Sequence, residues 1–306
     1  MKPRTSSVLP IAAILLGATS WGVIWFPFRA VEAGGLPAPV ATVLAYVVAT
    51  LLGGVLLRHA WREFPANARW LLAIGLTAGI TNVAYLVAIM QAEVVRIVLL
   101  FYLAPLWTVP LSRLILREQL TSKGYAVMTL AMVGALIMLW HPERGAPVPR
   151  NGFEWLGLVA GLSFAACNVF VKAATRASAE AKSLAGTIGV LLVALPVAVV
   201  AAPAVGTWPA MAGPHVLLLM ILGVTLTATS LALQFGLTHL GANRAAVLML
   251  FELIVAAIAA HFLAGEVTRA QDWMGGAMIV GAGMFATLAE QRRLSSEAQS
   301  ARPRID

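Results

Sequence analysis

The chain has 306 residues, of which 60% are apolar and only 11% charged, with a formal net charge of +8. A soluble domain carries roughly 25% charged residues to cover its surface, so this composition excludes a cytosolic enzyme, a secreted disulfide domain and a disordered chain. A mean hydropathy of +0.87, in continuous rather than alternating runs, excludes a transmembrane β-barrel and leaves an all-α integral membrane protein.

A helix crossing the bilayer needs about 20 apolar residues. The first predicted span covers residues 8–28. Lys2 and Arg4 precede it, as in a signal peptide, but similar runs fill the chain, so it is expected to be a retained helix. The second span covers 39–57, and Arg58, Arg62 and Arg69 then mark a loop. The third, fourth and fifth cover 70–90, 94–112 and 124–140. A polar, Pro-rich connector at 141–152 leads to the sixth span at 153–171. Residues 183–243 hold no Asp, Glu, Lys or Arg. Pro203, Gly206, Pro209, Gly213 and Pro214 divide that stretch into spans at 184–202 and 216–235. The ninth and tenth spans cover 245–263 and 273–289, ahead of a charged tail.

Ten transmembrane helices put both termini on one side. With the termini inside, sixteen of the 21 Lys and Arg residues fall on the inner side. Cytoplasmic loops are enriched in these residues, so both termini are expected in the cytoplasm of a multi-pass inner (plasma) membrane protein. The same rule accounts for the basic pI without nucleic acid as a partner. The single Cys167 allows no intrachain disulfide and no cysteine metal site.

The two halves resemble each other. An offset of 148 residues aligns Gly75 with Gly223, Thr81 with Thr229, Arg96 with Arg244 and Glu118 with Glu266. Near the start, an offset of 143 aligns Trp21 with Phe164, Trp25 with Asn168 and Arg29 with Lys172. Each repeat holds five spans, an odd number, so the second is expected to enter the membrane inverted. The expected organisation is a first five-helix repeat at 1–140, the connector at 141–152, a second, inverted repeat at 153–290 and a cytoplasmic tail at 291–306. Inverted repeats are a signature of secondary transporters.

Trp21-Gly22 stands in the first span, with Arg29 at its end. Ala104-Pro105 stands in the fourth, followed by Arg117-Glu118-Gln119-Leu120. The second half carries Phe251-Glu252, Gly265-Glu266-Val267-Thr268 and a Gly-rich run at 275–283. This pattern resembles the drug/metabolite transporter superfamily, and within it the ten-helix EamA-type exporters. The aromatic-rich first half is most similar to aromatic amino acid exporters. The resemblance implies two inverted five-helix repeats around a central cavity lined by the first, third, fourth, sixth, eighth and ninth helices. In one respect the chain departs from the family: Leu253 follows Glu252 where a proline is common, which puts a kink there in doubt.

Polar groups deep in a span are costly and so mark candidate sites. Asn82 and Tyr85 share a face of the third span, beside Thr81. Tyr102 and Pro105 share a face of the fourth, and Pro105 is expected to kink it. Trp21 and Trp25 lie one turn apart on the first span, and Asn168 lies one turn from Phe164 on the sixth. Thr227, Ser230 and Gln234 form a stripe on the eighth, which either lines a cavity or bonds a neighbouring helix. Glu252 is the one acid placed deep in a span. Proton coupling, binding of a substrate ammonium and a structural hydrogen bond are all open to it. Gly157 and Gly161 have a spacing that suits close helix packing. Glu118 and Glu266 are expected to pair with loop arginines or cap helix ends.

No HExxH, phosphate-binding loop or GxSxG is present, so neither an enzyme nor a cofactor or metal is expected. The composite expectation is a secondary transporter that exports small organic metabolites by alternating access, with amino acids, aromatic ones included, as the leading substrates. Its partners are the substrate and the lipid bilayer, and a monomer is one expected state. A drug, nucleoside or other metabolite exporter is the rival of the same fold; an intramembrane enzyme or a scaffold is the rival from another class.

Overall fold

The computed structural model describes residues 8–92, 94–140, 148–202, 213–264 and 269–300. These form α1 (Val8–Ala33), α2 (Ala38–Leu56), α3 (Phe64–Gln91), α4 (Val94–Phe101), α5 (Ala104–Leu111) and α6 (Ser122–Leu139). After the connector come α7 (Gly152–Ala173), α8 (Ala179–Ala201), α9 (Gly213–His239), α10 (Ala242–Met249), α11 (Phe251–Ala264) and α12 (Ala270–Ser300). Nine segments among the described residues are long and apolar enough to cross a membrane, with α4–α5 and α10–α11 each making one. The tenth predicted span lies in α12, which runs on through residues 291–300 of the expected tail. Glu266, which the 148-residue offset aligns with Glu118, lies outside the described residues, as do most of the connector and Pro203, Gly206 and Pro209; Gly213 and Pro214 open α9.

Local chemistry sets several helix starts. The side chains of Thr121, Asn151 and Ser178 accept the backbone N–H three residues on, at Gly124, Glu154 and Ala181. Such caps satisfy donors that the first turn leaves without a partner. Arg58, Arg62 and Arg69 do not mark an open loop. The first two lie in a short 3₁₀ helix, Arg58–Glu63, and Arg69 lies within α3. Asn67 bends this junction, at φ −121°, while its amide bonds the Glu63 carbonyl at 3.0 Å.

In lipid, apolar side chains gain nothing by leaving their surroundings for each other, so close backbone approach does more of the packing. α3 lies against α7 and α8, and α9 against α1 and α2. α1 runs beside α10 and α11, α7 beside α4 and α5, and α6 beside α12. Glycines mark the closest crossings: Gly75 with Gly189 between α3 and α8, and Gly134 with Gly275 between α6 and α12. Gly223 of α9 meets Ala45 and Val48 of α2. Leu51, Leu72, Leu114, Val200 and Phe262 point outward, where acyl chains rather than water meet them.

Two spans are interrupted near their middles. Between α4 and α5, the Leu103 N–H bonds Leu100 at 3.3 Å and the Leu106 N–H bonds Leu103 at 2.9 Å, three residues back instead of four. Between α10 and α11, Leu250 and Leu253 do the same to Val247 and Leu250, at 3.2 and 3.1 Å. Pro105 therefore does not kink a continuous helix. It sits in the first turn of α5, where its missing N–H has no intrahelical partner to lose. The second interruption forms without any proline, so Leu253 does not prevent it.

A methyl group at Gly189 would overlap the backbone of Gly75. Gly189→Ala is expected to lose about 1–3 kcal/mol and to lower the melting temperature in detergent. Gly281→Ala, whose added carbon meets nothing within 4 Å, should melt like the parent. Equal melting of both variants would show that α3 and α8 do not meet at this glycine pair.

Candidate functional site

Two of the interior's polar side chains stand at the interruptions. Tyr102 lies at the first, and Glu252 is the second residue after the other. The Tyr102 hydroxyl and the Glu252 carboxyl lie within side-chain hydrogen-bonding reach, and Tyr85 of α3 is close enough to feel the Glu252 carboxyl and to act on Tyr102. Phe101 is the hub of the surrounding rings. Its centroid lies 5.0 Å from Tyr85, 5.3 Å from Tyr102 and 5.3 Å from Phe164 of α7. Such separations suit tilted and edge-on aromatic contacts. Gly161 of α7 makes the approach possible, since a Cβ there would come within 2.5 Å of the Phe101 carbonyl. Tyr102 is buried, whereas Glu252, Tyr85, Phe101 and Phe164 are each only partly covered. A carboxylate is thus held among aromatic walls where four helical segments meet.

The other candidates divide. Asn168 is buried near this group, and its amide bonds the Met249 sulfur at 3.7 Å. Trp21 is half-buried and packs against two core clusters. Asn82 turns to α2: its Oδ1 accepts the Tyr46 hydroxyl at 3.3 Å, and its Nδ2 bonds the Ala78 carbonyl at 3.0 Å. Trp25 lies under the Arg29 guanidinium, 5.1 Å from its ring centroid, and edge-on to Phe26. The stripe on α9 serves mainly as interhelical glue. Thr227 bonds the Ala49 carbonyl of α2 at 3.2 Å, and Ser230 accepts the Ser183 hydroxyl of α8 at 2.9 Å. Gln234 is buried, and its Oε1 has no hydrogen-bond partner among the described residues.

Polar clusters close both ends of α7. At its start, Arg96 of α4 grips Glu154 bidentately, at 2.9 and 2.8 Å, with both side chains 5% exposed. Arg96 also bonds the Val148 carbonyl, and the Arg150 N–H bonds Glu154. At the far end, Lys172 and Lys182 converge on Thr238, at its carbonyl (3.1 Å) and its hydroxyl (2.9 Å). Nearby, a π-helical turn at Ser112–Leu116 ends on Arg117 in the left-handed region, φ 57°. That reversal aims Glu118 at the start of α10, where it accepts the Ala242 N–H and faces Lys172. Asn243 adds a bond to the Ser112 hydroxyl at 2.9 Å. A small cavity of about 80 Å³ lies here, lined by Arg113, Glu118, Tyr125 and Asn243 among others. It has room for two or three waters and does not adjoin Glu252.

Residues 8–140 match the EamA-like transporter family. The chain is also 28% identical over 227 residues to an uncharacterized transporter of Archaeoglobus fulgidus, covering 74% of this chain and 78% of that protein. An uncharacterized transporter of Pseudomonas aeruginosa is 28% identical over 169 residues, 53% of this chain and 52% of that one. A solved crystal structure superposes with a TM-score of 0.73, covering 94% of this chain and 97% of the other, at 18% identity. The last likeness concerns the fold alone. The family match and the two relatives support a membrane transporter, and none of their names carries a substrate.

Sequence reasoning missed two parts of this site. Phe101 stood in an apolar run, Val98–Phe101, that offers no polar signal. The Arg96–Glu154 pair spans 58 residues, and only the cap pattern Asn151-Gly152-Phe153-Glu154 hinted that Glu154 had a defined place. Glu118 does cap a helix start as expected, but its charged neighbour is Lys172 rather than an arginine.

Arg96→Met leaves a buried carboxylate without its cation and should cost about 3–5 kcal/mol. Adding Glu154→Leu to that variant should restore part of the melting temperature; no recovery would mean that the pair does not hold α4 to α7. Burial raises the Glu118 carboxyl above its ordinary 4.5, although Lys172 and the Ala242 N–H pull it down. A raised carboxyl favours the folded state while protonated, and that contribution is lost as pH rises through the raised value. Melting temperatures of the parent, relative to Glu118→Gln, should therefore fall as pH is raised above 4.5. Parallel pH profiles would place Glu118 in solvent.

Proposed function

We propose that the chain is a secondary transporter that exports small organic metabolites by alternating access, with amino acids, aromatic ones included, as its substrates. The observation that carries this is the carboxylate-bearing aromatic group at the meeting of the two interrupted spans. A zwitterion with an apolar ring needs an apolar wall, a π surface and a few fixed polar groups. Tyr85, Phe101, Tyr102, Phe164 and Glu252 offer them.

Alternating access in such carriers draws on two inverted halves, and several features support that organisation here. The interruptions fall within one residue of the 148-residue offset. Exchange of the halves carries the packing of α3 on α7 and α8 into that of α9 on α1 and α2. It carries α1 beside α10 and α11 into α7 beside α4 and α5, and α6–α12 into itself. Gly75 and Gly223 occupy corresponding crossings. The Arg96–Glu154 cluster and the Glu118–Lys172 cluster, at opposite ends of α7, are suited to be the closures of the two sides. The distribution of Lys and Arg supports cytoplasmic termini in an inner membrane.

Liposomes holding only the purified protein test this directly. Radiolabelled Trp, Phe, Thr and a nucleoside are compared with and without a pH gradient. Saturable flux of Trp and Phe is expected, and Tyr85→Ala should reduce it at least tenfold without lowering the melting temperature. Flux of the nucleoside alone would transfer the site to another metabolite class. No saturable flux of any of the four would remove the amino-acid assignment.

A further inference from the structure

We infer that the site reads the ammonium group of its substrate, through Glu252 and the surrounding rings, and makes little use of the carboxylate. This rests on the amino-acid reading above and narrows it. Among the described residues, the neighbours that act on Glu252 or are acted on by it are Tyr102 and Tyr85. Both are neutral hydroxyl-bearing rings, and no lysine or arginine stands among them. The rings of Phe101 and Phe164 complete the wall. Every feature of this group favours a cation. The carboxylate attracts it directly, the ring faces attract it through their quadrupoles, and desolvation strengthens both.

A substrate carboxylate meets the opposite situation. It would be repelled by Glu252 and by the ring faces. Three of the described basic groups engage partners toward the ends of α7: Arg96 grips Glu154, and Lys172 and Lys182 bond Thr238; Arg244 stands in the first turn of α10, two turns before Glu252. Glu252 and Tyr85 are each only partly covered. The carboxylate is also expensive to hold in a span, on the order of 3 kcal/mol on insertion scales, and an ammonium ion beside it offsets that cost. The substrate class is therefore a primary amine on an apolar or aromatic body, of which an aromatic amino acid is one case and a decarboxylated aromatic amine another.

Three indole compounds that differ only in their charged groups separate the possibilities. Tryptophan carries both groups, tryptamine only the amine and indole-3-propionate only the acid. In liposomes holding the full-length protein, tryptamine is expected to compete with labelled Trp about as well as unlabelled Trp does. Indole-3-propionate should be at least about tenfold weaker, the factor that 1.4 kcal/mol of lost interaction produces. Glu252→Gln should weaken Trp and tryptamine together by a similar factor, and Glu252→Asp should retain part of the affinity. Should Glu252→Gln not fold, the competition on the parent protein decides alone. Competition by indole-3-propionate equal to that by tryptamine overturns the inference and leaves the amino-acid reading standing. Trp flux that neither analogue inhibits also overturns it, because both groups would then be required. Tryptamine flux without Trp flux supports it while removing the amino-acid reading. No movement of any of the three removes both.

Discussion

In hydrocarbon, a peptide N–H or C=O that leaves its helical partner finds no water to replace it, at a cost of several kcal/mol per group. The two interrupted spans exist against that constraint. Each is covered at its weak point by a helix from the other half of the chain, brought close by a glycine. Gly161 of α7 lies against the Phe101 carbonyl, and Gly22 of α1 lies against the Glu252 carbonyl. A larger residue at either position would push the covering helix away and expose the interruption to lipid. Irregular backbone is tolerated at membrane depth only where protein buries it or where it borders a polar cavity. Tyr102 and Glu252 stand at these two places.

The ends of the bundle obey a different rule. Charge is affordable there only when it is paired or bonded, and each end pairs in its own way. Arg96 and Glu154 form a bidentate, almost fully covered pair that also binds two backbone groups. The opposite end is looser, with a half-covered Glu118 at the start of α10 and two lysines sharing Thr238. Both clusters tie an element of the first half to one of the second. α10 runs from the looser cluster to the interruption beside Glu252.

Some of the candidate group was legible residue by residue. A tyrosine or a glutamate deep in an apolar run declares itself by cost, as Tyr85, Tyr102 and Glu252 did. Their convergence was not legible, because Glu252 of α11 is far along the chain from Tyr85 and Tyr102 and no period links them. Asn82 and Thr227 declared themselves by the same cost, yet they bond Tyr46 and Ala49 on a neighbouring helix. Cost alone does not distinguish a residue that meets a ligand from one that fastens two helices. Phe101 had no cost to show, and its role depends wholly on what surrounds it.

The amino-acid sequence by itself determined that this chain lives in a bilayer, about how many times it crosses, and where the costly side chains stand along it. Those properties follow from transfer free energies, which add up locally over about 20 residues. Tertiary structure alone decided that the fourth and ninth spans are interrupted, the latter without a proline. It also decided that Glu252 faces Tyr102 and that Arg96 holds Glu154. Each of these depends on which backbone lies within a few ångströms of another, and the glycines that allow such approach specify proximity without naming the partner.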